Sequence, residues 1–230
     1  MLAEPLPPAI DRSSSSAQQA VLIALRRIGP ASPDAMAAAM GISRSAALAH
    51  LRMLAAVGLV TRDVERHGVG RPRHRYDLTA AAQTLLPSNY ASLATDLLDA
   101  LQVVAGEAIV DAVFAERRRR QAALIRGRFA DRRLDDASLQ ERVRELAVIQ
   151  DEQGYLCDCA APAAGPEAIE MRQANCAIYD VATRHPQACH SELELYREVL
   201  GADVVREAHI ASGDRTCTYR IEPFGPTGSA

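Results

Sequence analysis

Lysine and tryptophan are both absent from this 230-residue chain. All 26 basic residues are Arg, and aromatic side chains make up only 4% of the sequence. The lack of Lys is read mainly as codon bias of a GC-rich genome. It also leaves every cationic contact to guanidinium, the better phosphate ligand. With so few aromatics, any core must be filled by Leu, Val, Ile and Ala. No apolar run reaches the ~18 residues that a membrane-spanning helix needs. The N-terminus lacks a basic stretch followed by an apolar one, so no secretory signal is expected and a cytoplasmic location is. Thiols stay reduced there, and five cysteines are an odd number. A disulfide framework is therefore not expected, and metal or redox use of some cysteines is. Signs of catalysis are also missing. No glycine-rich phosphate loop precedes a helix, and no Gly-x-Ser-x-Gly elbow occurs. Cys189 and His190 are adjacent at an expected helix start, so they point apart rather than pairing as nucleophile and base. The chain is read as a non-enzyme.

What is present is a charge gradient. The net charge of -3 hides +4 over residues 1–80, balance over 81–150 and -7 over 151–230. A positive head and a negative tail suit a protein whose head meets a polyanion.

The pattern predicts a mainly α protein with small β parts. Residues 1–16 are Pro- and Ser-rich and read as a disordered tail. Residues 17–80 read as a winged helix-turn-helix. Val21, Leu22 and Leu25 carry helical spacing, and Gly29-Pro30 ends that helix. Ser32-Pro33-Asp34 starts a second helix, and Ser43 caps a third that Gly58 stops. Leu59 to Arg66 and Arg73 to Thr79 read as two strands around a Gly68–Pro72 turn. Residues 81–150 read as helices for dimerisation, punctuated by Pro87 and Gly106, with an apolar stripe at Leu93, Leu97, Leu101 and Val104. Ser138 to Gln150 is the last of them. Residues 151–223 read as an α+β sensor domain: a strand at 155–159, helices at 167–183 and 192–200, and a hairpin of 204–210 with 217–221 turning at Ser212-Gly213-Asp214. Residues 224–230 read as a flexible tail.

In a helix-turn-helix the start of the recognition helix reaches base edges. Here that start is Ser43, Arg44 and Ser45, with His50 two turns in. Arg pairs with guanine, and Ser serves bases or phosphate. The expected wing adds Arg71, Arg73 and Arg75 at a Gly-bounded turn, suited to phosphates or a minor groove. The plainer alternatives are a capped surface helix and a solvated basic hairpin. Double-stranded DNA is the expected partner. The run Arg117 to Arg120 circles a helix and reads as solvated or paired with nearby acids.

Cys176 is expected inside a helix, Cys189 at a helix start that would lower its pKa, and Cys217 at the opening of the last strand. The spacing is not that of a zinc knuckle, and three cysteines filling an aromatic-poor core is the alternative. The motifs Asn175-Cys176, Cys189-His190-Ser191-Glu192-Leu193-Glu194, Leu200-Gly201 and Gly213-Asp214-Arg215-Thr216-Cys217-Thr218-Tyr219-Arg220-Ile221 resemble the C-terminal domain of the SufR family, winged-helix repressors of iron–sulfur cluster assembly operons. With the Gly70-Arg71-Pro72 wing, the resemblance covers about residues 17–223. It implies a homodimer on an inverted-repeat operator. It also implies an iron–sulfur cluster, 4Fe–4S or 2Fe–2S, on Cys176, Cys189 and Cys217. Some members carry a further cysteine between the last two. This chain has Asp203 near that point, so the fourth ligand lies among Asp203, His190, Cys157, Cys159 and a water or small molecule. The alternatives to a cluster are zinc, a thiol switch or a small ligand.

Overall fold

A computed structural model describes residues 16–65, 73–160 and 168–224. The expected tails at 1–16 and 224–230 lie outside these residues except for Ser16 and Phe224, as does the turn at 68–72. The chain is mainly helical with small antiparallel sheets. It divides into two compact units, residues 1–88 and 89–230.

In the first unit, α1 (Ser16–Ile28), α2 (Pro33–Met40) and α3 (Arg44–Ala56) precede a hairpin of β1 (Val60–Glu65) and β2 (Arg73–Leu78). Both expected caps are present. The hydroxyl of Ser32 accepts from Ala35 N–H at 3.2 Å, and that of Ser43 from Ala46 N–H at 3.2 Å, each satisfying a helix-start donor. Between them Gly41 takes φ 66°, the left-handed turn that lets α2 end and α3 begin within a few residues. Val21, Leu22, Leu25, Met36, Leu51, Leu54 and Tyr76 fill the core, nearly all of them aliphatic as the composition requires.

The second unit opens with α4 (Tyr90–Ala105), α5 (Glu107–Asp131) and α6 (Leu139–Glu152). A capping box of Ser138 and Glu141 starts α6. Then come β3 (Cys157–Ala160), β4 (Ile169–Gln173), α7 (Tyr179–Arg184), α8 (Gln187–Leu200), β5 (Asp203–Ala208) and β6 (Cys217–Glu222). The strands form one antiparallel sheet in the order β3-β4-β6-β5, and the expected hairpin is β5 with β6. The core joins Ile125, Phe129, Val143 and Leu146 to Tyr196, Leu200, Met171, Tyr219 and Ile221. A satellite core gathers Val110, Phe114 and Ala188 with Leu98, Ile178 and Val181.

One expectation is overturned. Residues 167–183 do not form a single helix: β4 occupies 169–173, and only 179–184 are helical. Ile-Glu-Met-Arg-Gln has good helix formers, but Met171 and Gln173 are buried while Arg172 between them is exposed. Pairing with β3 on one side and β6 on the other outweighs local propensity. Cys176 therefore sits in the turn between β4 and α7, not inside a helix.

Candidate functional site

In the first unit, α3 and the hairpin border a groove of ≈ 960 Å³. Arg44, Leu48 and Arg52 line it from α3, and Arg62, His74 and Arg75 from the strands, with the start of α2 closing one end. Arg44 pairs with Asp34 at 2.9 Å, an exposed contact that solvent screens. Arg75 donates to Pro30 O at 2.7 Å. Ser43 and Ser45 bond to each other, Oγ to Oγ at 3.0 Å, at the α3 cap. His50 is half-buried and does not line the groove. Arg71 and the side chain of Arg73 lie outside the described residues. Arg52 and Arg62 were missed in the sequence. The signal for Arg52 was there, since Arg44, Leu48 and Arg52 repeat every four residues along one helix face.

In the second unit, Cys217, Gln173 and Cys157 form one row across β6, β4 and β3. Cys217 and Cys189 are buried, and Cys176 is half-buried. Cys217 Sγ accepts from Ile210 N–H at 3.3 Å. The three thiols of Cys176, Cys189 and Cys217 are close enough that a charge on one disfavours charge on another.

A polar network backs them. Tyr219 donates to Glu192 Oε2 at 2.7 Å and to Gln173 Oε1 at 3.3 Å, and Gln173 Nε2 donates to Tyr196 Oη at 2.8 Å. Arg206 Nη2 donates to Cys189 O at 2.6 Å and lies 3.5 Å from Glu192 Oε2. The Arg206 guanidinium also stands 5.2 Å from the centre of the Tyr219 ring. Burial pushes the Glu192 carboxyl up, against the pull of Tyr219 and Arg206.

Burial also raises all three thiols, and Arg206 opposes it at each. Cys189 is pushed up to about 11. The expected lowering at the start of α8 is thus reversed, because desolvation outweighs the helix terminus.

None of the four side chains expected as a further ligand joins the trio. Asp203 pairs with Glu222 at the far end of β6, five residues or ~17 Å from Cys217. His190 is exposed, one residue round the helix from Cys189. Cys157 stands two strands from Cys217, ~10 Å away across Gln173. Cys159 lies one row further along the same face, level with Met171.

Arg206, His209 and Arg117 were not legible in the sequence. His209 bonds through Nδ1 to Ser212 Oγ at 2.9 Å, and its Nε2 is buried without a hydrogen-bond partner. Arg117 and Arg118 are half-buried, unlike the exposed Arg119 and Arg120, and Arg118 lies 3.8 Å from Glu198, whereas Arg117 turns elsewhere. Arg117 bonds Gln121 at 2.8 Å and reaches the Tyr155 hydroxyl. Arg119 and Arg120 pair outward with Glu116, as expected.

Among the described residues no group of three or more His, Cys, Asp or Glu side chains is arranged as a ready metal site. By donor type the trio fits a soft centre. Such a centre takes thiolates and displaces their protons. Three thiols in mutual electrostatic reach lie beside a guanidinium whose buried Nε–H has no acceptor. No described helix is long and apolar enough to cross a membrane. The chain matches no family model, no curated protein and no solved structure.

Proposed function

We propose that the chain is a DNA-binding transcriptional regulator, a repressor of iron–sulfur cluster assembly genes, whose second unit senses cluster or redox status through Cys176, Cys189 and Cys217. The observation that carries this reading is that Arg206 bonds Cys189 O at the start of α8 and pairs with β6 beside Cys217, with the thiols of Cys176, Cys189 and Cys217 all within its electrostatic reach. The resemblance to the SufR family adds the nature of the load. A bound iron–sulfur cluster would supply sensitivity to oxidants and to iron supply.

The first unit supports the DNA half of the reading. Its helix, helix, helix and hairpin follow the winged helix-turn-helix order. The groove between α3 and the strands carries Arg44, Arg52, Arg62 and Arg75 for phosphates and base edges. A dimer would set two such units on the halves of an inverted repeat. The surface proposed for dimerisation is the outer face of α4. Leu93 and Leu97 there are 51% and 56% exposed, and Val104 is 85% exposed. Leu97→Glu should yield a monomer in light scattering.

A physical link between thiols and dimer face runs through the satellite core. Ile178 follows Cys176 by two residues, and Ala188 precedes Cys189. Both pack in the cluster that holds Leu98 on the inner face of α4. Fixing the two cysteines would fix α7 and the start of α8 against α4. The loaded and unloaded states must differ in DNA affinity for this to switch a gene, and a full reversal of populations needs about 10⁴-fold preference.

The test is purification without oxygen, followed by iron, acid-labile sulfide and zinc assays and a visible spectrum. Brown protein with sulfide, bleached by Cys176→Ser, Cys189→Ser or Cys217→Ser, is the expected result. Colourless protein with stoichiometric zinc would replace the cluster by a zinc site. Protein with neither, and with no affinity for duplex DNA, would sink the reading.

A further inference from the structure

Arg206 is held more tightly than a salt-bridge partner of Glu192 needs to be. It lies on β5 opposite Tyr219, just before the irregularity that separates it from Ala208. Cys189 O, Glu192 Oε2 and the Tyr219 ring together fix the plane of its guanidinium. The side chain is 12% exposed. With Nη2 engaged, Nε–H is left buried and faces no acceptor. A buried donor without a partner is costly, and a charge-assisted donor most of all. A guanidinium keeps its charge in a protein, so a fixed positive charge sits here. The bond to Cys189 O and the pairing of β5 with β6 set that charge beside Cys189 and the start of β6 that Cys217 opens.

Three thiolates on a divalent ion, or on a cubane cluster, leave excess negative charge in a buried place. Such charge needs a fixed cation and hydrogen-bond donors aimed at sulfur. Resting on the thiol-site reading above, we propose that Arg206 is the counter-ion and positioning residue of the loaded site, its Nε–H donating to a sulfur held by Cys176, Cys189 or Cys217. The arrangement favours the more negative, reduced state of whatever those thiolates hold. It also slows loss of the load, because an unpaired thiolate is then less exposed to water and oxidant.

The experiment uses the full chain purified without oxygen as wild type, Arg206→Gln and Arg206→Lys. Iron, sulfide and zinc per chain are measured first. A wild type with none of them ends the thiol-site reading, and this proposal with it. On loaded protein, the midpoint potential is read from the visible band during a redox titration, and retention from a timed chelator challenge. A zinc-loaded chain is judged on retention alone.

In Arg206→Gln the oxidised-to-reduced ratio at fixed potential should rise about tenfold, ~59 mV lower for a one-electron couple. Loss to chelator should quicken at least as much. Arg206→Lys keeps the charge without the fork, so it should shift both in the same direction by less. Loss of the Glu192 pair alone would lower thermal stability without moving the potential. If Arg206→Gln fails to fold by circular dichroism, Arg206→Lys decides. A folded, loaded variant with wild-type potential and wild-type retention overturns the proposal.

Discussion

Asp99 Oδ1 on α4 lies 3.0 Å from Nε2 of His185, a side chain only 2% exposed. The other oxygen of Asp99 takes Arg184 Nη1 at 3.2 Å. One carboxylate on α4 therefore holds the last residue of α7 and the one that follows it. The Arg184 contact is exposed and worth little, and the His185 contact is buried but lacks hydrogen-bond geometry, so its loss costs about 1 kcal/mol at most. Asp99→Ala should therefore lower stability by about that amount in urea denaturation. Hydrogen exchange should quicken most at residues 178–185, with the β-sheet amides changing only by the global loss. Uniform change across the second unit would separate α7 from α4 and remove the proposed link between thiols and dimer face.

Such a pairing, 86 residues apart in sequence, could not be read from the chain, and it marks where legibility ended. The first unit was legible because its signals are local. Ser32 and Ser43 cap, Gly41 turns, and Leu51 and Leu54 fall inward. The hairpin of β5 and β6 was equally plain from its turn residues. β4 was not, since nothing in Ile169 to Gln173 announces strands on both sides. The three cysteines stand out in the sequence, but what surrounds them comes from contacts between distant elements. Arg206, His209 and Arg117 have no motif. Their meaning lies in which neighbours burial gives them.

The thiols of the metal-free protein should be poor nucleophiles. Burial pushes Cys189 up to about 11 and Cys157 up to about 12. Against a free thiol near 8.5, the thiolate fraction of Cys189 at pH 8 falls on the order of 100-fold. Timed iodoacetamide labelling read by peptide mass spectrometry should show Cys176, the least buried of the trio, reacting before Cys189 and Cys217. All should react alike in urea. Fast labelling of Cys189 in the folded chain would mean that the start of α8 outweighs desolvation after all.

Glu192 gives the stability a pH signature. Burial raises its folded pKa above the ordinary 4.5, opposed by the Tyr219 hydroxyl and Arg206. The folded state then holds that proton more tightly than the unfolded state. Its contribution is fully present below about 4.5 and is lost as pH rises through the folded value. Subtracting the unfolding free energy of Glu192→Gln from that of wild type should give a difference that declines over this window and then levels. Urea titrations by circular dichroism between pH 4.5 and 7.5 measure it. A flat difference would mean that Glu192 titrates as it does in the unfolded chain, and a rising one that Arg206 and Tyr219 dominate.

The groove of the first unit makes the most direct claim on DNA. Arg52 comes from α3 and Arg62 from β1, and both line it. Each guanidinium that neutralises a phosphate releases counterions, so the slope of log affinity against log salt changes by about 0.9 per contact. Anisotropy titrations of a labelled mixed-sequence duplex over about 50 to 200 mM salt read this slope directly. Arg52→Ala and Arg62→Ala should each flatten it by about one contact and weaken binding most at low salt. Arg26→Ala is the control, because Arg26 is exposed in the last turn of α1 and does not line the groove. Equal losses in all three variants would reflect net charge alone. An unchanged slope in Arg52→Ala and Arg62→Ala would take the groove out of the interface and shift the DNA contacts to the turn at 68–72.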